Sequence, residues 1–364
     1  MIKIYKTGVN IMKQSFHIPL PAVDFAPPRY VCPRAVKPFV LDGRLDKDFW
    51  ADVPFTDDFL DIEGDHMPTP RFRTRVKMQW DDKNLYIGAV LEGNEIWAHQ
   101  TERDCVIFQD NDFEIFIDPD SDTHVYIEFE MNARNTVWDL LLSKPYRDNG
   151  KAINGYDIHG LQTAVHIDGK LNEVNSENQR WSVEVVIPFA EIGSCSYGNA
   201  SPKDGDFYRV NFSRVQWKAD EKDGAWAKRI NPETDAPYPE DNWVWAPTGV
   251  INIHYPELWG YVFFSDGSRD SSSYQIPEDE KIKWELRKLY YAQQMHWDIH
   301  GCFTDSLDTL KDLLAAHSPK HAHTVSPADY TIAASAHQFE ISCSNQAGDG
   351  VISIFADGNV DCYK

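Results

Sequence analysis

The sequence predicts a mainly β protein, an antiparallel two-sheet β-sandwich with a small C-terminal α+β appendage. Three observations predict this fold: many short segments alternate polar and apolar residues, turn residues separate them, and a helical period occurs only near the C-terminus. A period of two is typical of a strand with one buried face. Many such strands, with only single helical turns between them, favour a sandwich.

The predicted organisation has three parts: an N-terminal lead segment at 1–37, the sandwich at 38–267 and the appendage at 274–364. The lead is proline-rich, and its apolar stretches are too short and interrupted for a signal-peptide core. We therefore expect no export signal in the chain as given, and these residues alone leave its location open.

The predicted strands of the sandwich follow one another with polar turns between them. A tight turn at Asp42 and Gly43 and a helical turn come first. The strands are then RFRTRVKMQWDD, KNLYIGAVLEG, DFEIFIDPD, VYIEFEMNARN, TVWDLLLS, LQTAVHID, RWSVEVVIPFAEI, FYRVNFSRVQW and WGYVFFS.

The appendage is predicted to begin with a helix after Pro277. Its buried face consists of Ile282, Leu286, Leu289, Tyr290 and Gln293. Gly301 suits the C-cap, because glycine adopts the left-handed conformation that ends many helices. A Pro- and His-bearing connector and two or three strands complete the unit, so we expect a helix plus a β-hairpin.

The composition excludes several classes of function. The chain has 57 acidic and 35 basic residues, a formal charge of −22, and no basic cluster. A nucleic-acid backbone would therefore be repelled. No run of about 18 apolar residues occurs, so no membrane-spanning helix is predicted.

Six cysteines are scattered singly through the chain, without the spacing of a zinc site. Their even number permits disulfides, for example between Cys343 and Cys362 across a terminal hairpin. Reduced thiols are the alternative. The sequence leaves both open.

The stretch DNDFEIFIDPDSD, residues 110–122, carries the most information about function. A period of two places its acids on one face, and two acids of the following strand extend that face: Asp110, Asp112, Glu114, Glu128 and Glu130. Such a face can bind a ligand. Alternatively, it is the solvated outer face of an antiparallel sheet.

Asp118, Asp120 and Asp122 end this strand. Carboxylates spaced two residues apart are the oxygen ligands that calcium requires, although the glycine of an EF-hand loop is missing. The same residues are also good turn formers. Calcium is therefore the one cofactor that the sequence suggests.

A set of ordered segments resembles the family 9 carbohydrate-binding modules, within a wider DOMON-like group of sandwiches that includes haem-binding and catecholamine-regulated domains. These segments are PFVLDGRLDKDFW, VKMQWDDKNLYIGAVLEG, IFQDNDFEIFIDPDSD, WSVEVVIPFAEI, WVWAPTG and HYPELWGYVFF, and they span roughly residues 38 to 265. The resemblance implies a two-sheet sandwich that binds a saccharide, accompanies glycan-degrading enzymes outside the cytoplasm, and in several members is supported by calcium. The appendage resembles, more distantly, the helix and hairpin of type IV pilins.

Two positions of the sugar-binding modules can be transferred to this sequence. There, an aromatic residue before the acid-rich strand stacks on the sugar, and the first Glu of that strand binds hydroxyl groups. Phe108 and Glu114 occupy these positions here, with Phe in place of Trp. Ile253 and His254 stand where those modules have a second stacking Trp, so the double-aromatic clamp is not reproduced.

We therefore expect a carbohydrate site that combines flat rings for the C–H faces of a pyranose with polar groups for its hydroxyls. Its predicted residues are Phe108, Glu114, Trp138, Arg214 and Trp217.

The expected function is non-catalytic binding of an oligo- or polysaccharide, beside a glycan-degrading enzyme system. No GxSxG, P-loop, HExxH or GxGxxG motif occurs, and no carboxylate pair stands out in the setting that a glycosidase needs. The alternatives are a structural or assembly protein without a sugar ligand, or a glycoside-processing enzyme.

Overall fold

A computed structural model describes residues 16–174, 177–196, 201–318 and 323–363. Residues before 16, which include most of the apolar stretches of the predicted lead, lie outside the described residues, as does part of the His-bearing connector. The strands are β1 (Arg29–Pro33), β2 (Leu60–Asp61), β3 (Thr74–Trp80), β4 (Asn84–Glu92), β5 (Asp112–Asp118), β6 (Tyr126–Asn132), β7 (Val137–Leu142), β8 (Ala152–Ile153), β9 (Gln162–Asp168), β10 (Arg180–Pro188), β11 (Phe207–Gln216), β12 (Ala219–Lys222), β13 (Ala225–Lys228), β14 (Ile230–Asn231), β15 (Ala236–Pro237), β16 (Asp241–Val244), β17 (Gly260–Ser265), β18 (Thr331–Ala334), β19 (Phe339–Ser344), β20 (Val351–Phe355) and β21 (Val360–Tyr363).

The helices are short in the sandwich and longer in the appendage. The α-helices are α1 (Phe189–Ile192), α2 (Glu278–His300) and α3 (Leu307–His317). Single 3₁₀ turns lie at Asp48–Trp50, Ile107–Gln109, Tyr146–Asp148, Gly193–Cys195, Pro256–Leu258 and Ser271–Ser273. None of the helices in the described ranges combines the length and apolar character needed to cross a bilayer.

Two antiparallel sheets form the predicted sandwich. The larger sheet has the order β1-β17-β11-β5-β6-β7-β8, and β16 joins it by pairing with β11 and β2. The smaller sheet has the order β3-β4-β10-β9. Among the strands of the described residues, β1 alone runs parallel to its neighbour, β17, so residues from the predicted lead segment supply an edge strand of the larger sheet.

The core between the sheets follows from the alternation of the strands. Phe113, Ile115 and Ile117 of β5 point inward and pack with residues such as Ile87 of β4 and Val183 of β10. All five side chains are fully buried. The opposite face of β5, which carries the acids, is turned away from this core.

The appendage confirms the predicted helix but is larger than a helix and a hairpin. Helix α2 begins after Pro277 and ends at Gly301, whose φ of 71° is left-handed as predicted. A second helix, α3, and a four-stranded sheet, β18-β19-β20-β21, follow. The predicted two or three strands were too few, because the turn at Gly358, with a φ of 81°, divides the last segment into two strands.

The appendage shares a hydrophobic core with parts of the chain outside it. Leu286 and Leu289 of α2 belong to the same cluster as Ile18 of the N-terminal segment and Tyr255 and Leu258 of the sandwich. The appendage therefore packs against the sandwich.

The cysteines are all free thiols in this structure. Of the two alternatives that the sequence left open, the structure has reduced thiols, and a bridge between Cys343 and Cys362 does not form because β20 lies between their strands. Two strand spacings of about 4.8 Å exceed the Cα separation that a disulfide spans.

Candidate functional site

A groove of about 290 Å³ lies on the outer face of the larger sheet. This volume is near the small end of the range of ligand pockets, about 300–1,000 Å³. The groove is lined by Ile62, Phe108, Glu114, Phe116, Glu128, Glu130, Trp138, Tyr146, Ser213, Val215, Glu240, Asn242, Ile251, Asn252, Ile253 and His254.

The floor of the groove is a cross-strand row of side chains. Ser213 of β11 lies opposite Glu114 of β5, Glu114 lies opposite Glu130 of β6, and Glu130 lies opposite Trp138 of β7. Directly opposed residues in antiparallel strands project their side chains from the same face, with Cβ atoms about 5 Å apart. The row therefore brings two carboxylates, one hydroxyl and one indole together.

The walls of the groove come from loops and turns. Phe108 stands in the 3₁₀ turn before β5, and Tyr146 in the turn after β7. Ile253 and His254 come from the loop before β17, so the two residues that replace the family's second Trp do lie beside the predicted site. Ile251, which is 74% exposed, forms the rim.

Phe108 is held in place by its backbone. Its N–H donates to Glu130 Oε2 at 3.1 Å, and its carbonyl accepts a hydrogen bond of 2.9 Å from Trp217 Nε1. The Trp217 ring is buried and covered by Lys228, whose Nζ lies 3.2 Å from the ring centroid. Trp217 therefore positions the Phe108 turn, and it does not line the groove.

Trp138 offers both a ring and a free donor to the groove. The side chain is half-buried on β7. Its indole Nε1 is buried and has no hydrogen-bond partner among the described residues. A buried indole N–H usually has an acceptor, so this donor is available to a ligand hydroxyl.

The carboxylates of the groove are buried and repel one another. Burial raises the pKa of Glu114 to about 7, and the Glu240 carboxylate adds to the rise. Burial also raises the pKa values of Glu128 and Glu130 well above the usual range, and the Glu114 carboxylate contributes to both shifts. Unpaired carboxylates in a low-dielectric setting favour their neutral forms unless a ligand supplies donors or positive charge.

Arg214 lies on the opposite face of the sheet from the groove, so its predicted place beside Glu114 is wrong. It is 2% exposed, and it donates hydrogen bonds to Thr74 Oγ1 at 3.0 Å and to the Glu92 carbonyl at 2.8 Å. The reason is strand parity: Val210 and Phe212 of β11 point into the core, and Arg214 continues this inward series.

Asp118, Asp120 and Asp122 do come together, with one oxygen of each within 4.8 Å of the others. This loop lies at the junction with the appendage and outside the groove. Asp118 accepts 3.0 Å hydrogen bonds from the backbone N–H groups of Ser121 and Thr123, which is the turn chemistry that was the alternative to calcium. Calcium at this loop stays a prediction.

Several groove residues were not predicted from the sequence: Tyr146, Ser213, Val215, Glu240, Asn242, Ile251 and Asn252. Ser213 and Val215 could have been found, because alternation along β11 places them on the same face as Glu114. The others lie in turns, loops or short strands whose course over the sheet has no local signal.

A polar, aromatic groove on the outer face of an antiparallel sandwich is the geometry of a small-ligand-binding module. The chain belongs to the carbohydrate family 9 binding domain-like family, whose profile matches residues 41–262. This match confirms the resemblance found in the sequence. No curated protein sequence matches the chain.

Similar solved structures include modules of the same family. A family 9 carbohydrate-binding module from Caldicellulosiruptor kristjanssonii in complex with cellotriose is 16% identical, with a TM-score of 0.42, over 68% of this chain and 98% of that chain. A family 9 module from the same organism in complex with glucose is 15% identical, with a TM-score of 0.41, over 66% and 98% of the two chains. A protein from Bacteroides uniformis ATCC 8492 is 15% identical, with a TM-score of 0.45, over 66% and 100%.

Proposed function

We propose that the protein binds a saccharide in the groove and does not cleave it. The observation that carries the proposal is the floor row, in which Glu114, Glu130 and Trp138 stand side by side in a groove that Phe108 also lines. Rings bind the C–H faces of a pyranose, and carboxylates accept hydrogen bonds from its hydroxyls. Family membership supports this function.

The arrangement of the aromatic side chains suits one or two sugar rings. Phe108 and Trp138 are half-buried, and Tyr146 is 46% exposed, so each presents part of its ring to the groove. They stand on different elements, and they are not the two stacking Trp residues of the best-known binders. We therefore propose a ligand that lies along the sheet, between Phe108 on one side and Trp138 with Tyr146 on the other.

Binding without cleavage is favoured by where the carboxylates lie. Glycoside hydrolysis needs an acid and a nucleophile or base on either side of the scissile bond, with carboxyl groups about 5–10 Å apart. Glu114 and Glu130 instead stand side by side on one floor, as direct partners on neighbouring strands. A sugar above them would contact both carboxylates from the same side.

Two broader parts of the proposal depend on the family. We place the protein outside the cytoplasm and beside glycan-degrading enzymes, because that is the setting that the family implies. Immunoblotting of culture fractions from cells that express the full-length gene tests the location. Co-purification with a polysaccharide-degrading activity tests the second part.

The binding proposal is tested by a glycan array followed by calorimetry. Glucose and cellotriose are the first probes, because modules of similar structure were solved with them. Glu114→Ala should abolish any binding that is found, whereas Glu233→Ala, at an exposed turn outside the groove, should leave it unchanged. Normal binding by the Glu114 variant would show that the groove is not the site.

A further inference from the structure

A compact trio of carboxylates lies at the groove floor and directly beneath it. Asp112, Glu114 and Glu130 each place one oxygen within 4.8 Å of the other two. Asp112 and Glu114 lie two residues apart on the same face of β5, and Glu130 is the partner of Glu114 on β6. All three side chains are buried, with 0%, 6% and 2% exposure respectively.

This trio differs from the other two carboxylate trios of the described chain in having no cation from the protein. In the trio formed by Asp104, Asp139 and Asp157, the Arg103 guanidinium contacts all three carboxylates. In the loop trio that ends β5, burial raises the pKa of Asp120 to about 6 and also raises the pKa of Asp122, and the nearby Lys283 ammonium opposes both rises.

At the groove floor, by contrast, no Lys or Arg nitrogen of the described residues comes within 4.0 Å of the three carboxylates. The cation beside this region, Lys228, lies over the Trp217 ring, and its Nζ is 3.5 Å from Gln109 Oε1. The negative charge of the floor is therefore left without a local counter-charge.

Two buried oxygens at this floor also lack hydrogen-bond donors. Asp112 Oδ1 accepts a 3.2 Å hydrogen bond from the Val215 N–H, but Asp112 Oδ2 has no partner in the described structure, and neither has Glu128 Oε2. Asp110, two residues before β5, shows the usual outcome, because it accepts hydrogen bonds from the backbone N–H groups of His99 and Gln100 and from the Asn132 side chain. A fully buried carboxylate oxygen without a donor costs stability unless something binds it.

We propose that Asp112, Glu114 and Glu130 bind one calcium ion at the floor of the groove, and that this ion also coordinates saccharide hydroxyl groups. The inference rests on the proposed function and specifies how that site holds its ligand. Glu114 and Glu130 line the groove while Asp112 lies beneath it, so the inner side of the ion faces protein and its outer side faces the ligand.

Calcium fits this donor set better than other common ions. The three donors are hard carboxylate oxygens, which exclude the softer metals that prefer nitrogen or sulfur. Calcium takes six to eight oxygen ligands in flexible geometry, so three carboxylates leave positions for water or sugar hydroxyls. Magnesium requires a near-ideal octahedron and retains its waters, so we expect it to bind more weakly.

The test is calorimetric titration of the chelator-treated protein with calcium chloride. Three variants locate the ion: Asp112→Asn and Glu130→Gln at the groove floor, and Asp120→Asn in the loop trio as the matched control. We expect a calcium-binding event that is about tenfold or more weaker in both floor variants and that keeps wild-type affinity in Asp120→Asn. A separate event that is lost only in Asp120→Asn would be calcium at the loop trio. Because Asp112 is fully buried, circular dichroism is used to check that Asp112→Asn folds. If Asp112→Asn is unfolded, the calcium affinity of Glu130→Gln decides whether the ion binds at the groove floor.

An absence of calcium binding by the wild type, or a single binding event that is lost in Asp120→Asn but kept in Glu130→Gln, would overturn the inference. A second titration, with the saccharide identified on the array, compares calcium-loaded and calcium-free protein. We expect about tenfold weaker binding without calcium, and equal binding would overturn the contact between ion and sugar.

The same second titration separates this inference from the proposed function. If calcium-free protein binds the saccharide normally and Glu114→Ala does not, the groove is the site and the ion has no part in it. If neither calcium-free nor calcium-loaded wild type binds any glycan on the array, the proposed function fails, and with it the ion's role in sugar binding.

Discussion

Glu114 and Glu130 lie directly opposite each other on neighbouring antiparallel strands, with carboxylate oxygens within 4.8 Å. Like charges placed in this way destabilise an isolated sheet. Here the pair lies in a groove that also contains Phe108 and Trp138, where a bound ligand can offset the repulsion. The relationship is therefore better explained by binding than by folding.

Removal of either ring of the groove should weaken saccharide binding. We expect about a tenfold loss of affinity, about 1.4 kcal/mol, for Phe108→Ala and for Trp138→Ala, because each variant loses a stacking surface. Tyr363→Ala serves as the control, since Tyr363 is an exposed aromatic on β21, away from the groove. Calorimetry with the array hit measures all three, and unchanged affinity in both groove variants would contradict the stacking model.

Arg214 should matter for stability and not for binding. Its guanidinium is buried, donates to Thr74 and Glu92, and lies 5.3 Å from the Trp243 ring centroid. Arg214→Met should lower the free energy of unfolding by about 3 kcal/mol, because buried acceptors lose their donor. Arg180→Met, at an exposed ion pair with Asp168, should cost less than about 1 kcal/mol.

Urea denaturation measures both costs, and calorimetry should find saccharide affinity unchanged in folded Arg214→Met. If Arg214→Met lost saccharide binding without losing stability, Arg214 would belong to the binding site after all.

The junction between sandwich and appendage should be sensitive to acid through Glu257. This buried carboxylate lies 2.9 Å from Arg147 Nη2 and accepts a hydrogen bond from the Tyr291 hydroxyl of α2. Although burial opposes it, the attraction of Arg147 and Arg287 lowers the pKa of Glu257 from 4.5 to about 2. The lowered pKa means that this stabilisation is complete above pH 4.5 and is lost as the pH falls from 4.5 towards 2.

Glu257→Gln should therefore reduce the free energy of unfolding at pH 7 by about 3–5 kcal/mol, because it leaves Arg147 buried without its counter-charge. The difference between wild type and variant should shrink between pH 4.5 and pH 2. Thermal unfolding followed at several pH values measures this difference, with the exposed Glu233→Gln as control. If the difference in unfolding free energy between wild type and Glu257→Gln stays constant down to pH 2, the account of Glu257 is contradicted.

The alternating strands were predictable because successive side chains of a β-strand point to opposite faces of the sheet. The period of two in β5 and β6 correctly separated Phe113 and Ile115 from Glu114 and Glu130, and so located both the core and the acidic floor. Arg214 was assigned by residue type although the same rule, applied to β11, places it inside. The sequence therefore contained the signal that corrects it.

The walls of the groove could not be predicted, because loops have no comparable period. Tyr146 and Ile251 reach the groove only through the paths of two connecting segments, and Ile253 of the second segment packs with Tyr126 and Trp259. Likewise, the lack of a Lys or Arg side chain near Asp112 could not be predicted from the sequence. The chain has 35 basic residues, and only the fold determines which carboxylates they contact.

The central claim is that the groove above Glu114 binds the saccharide, and a crystal structure of the protein with the array-selected glycan tests it most directly. The account predicts a sugar ring between Phe108 and Trp138, with a hydroxyl within hydrogen-bond distance of the Glu114 carboxylate. Density for the glycan on another surface, with the Glu114 groove filled only by water, would contradict it.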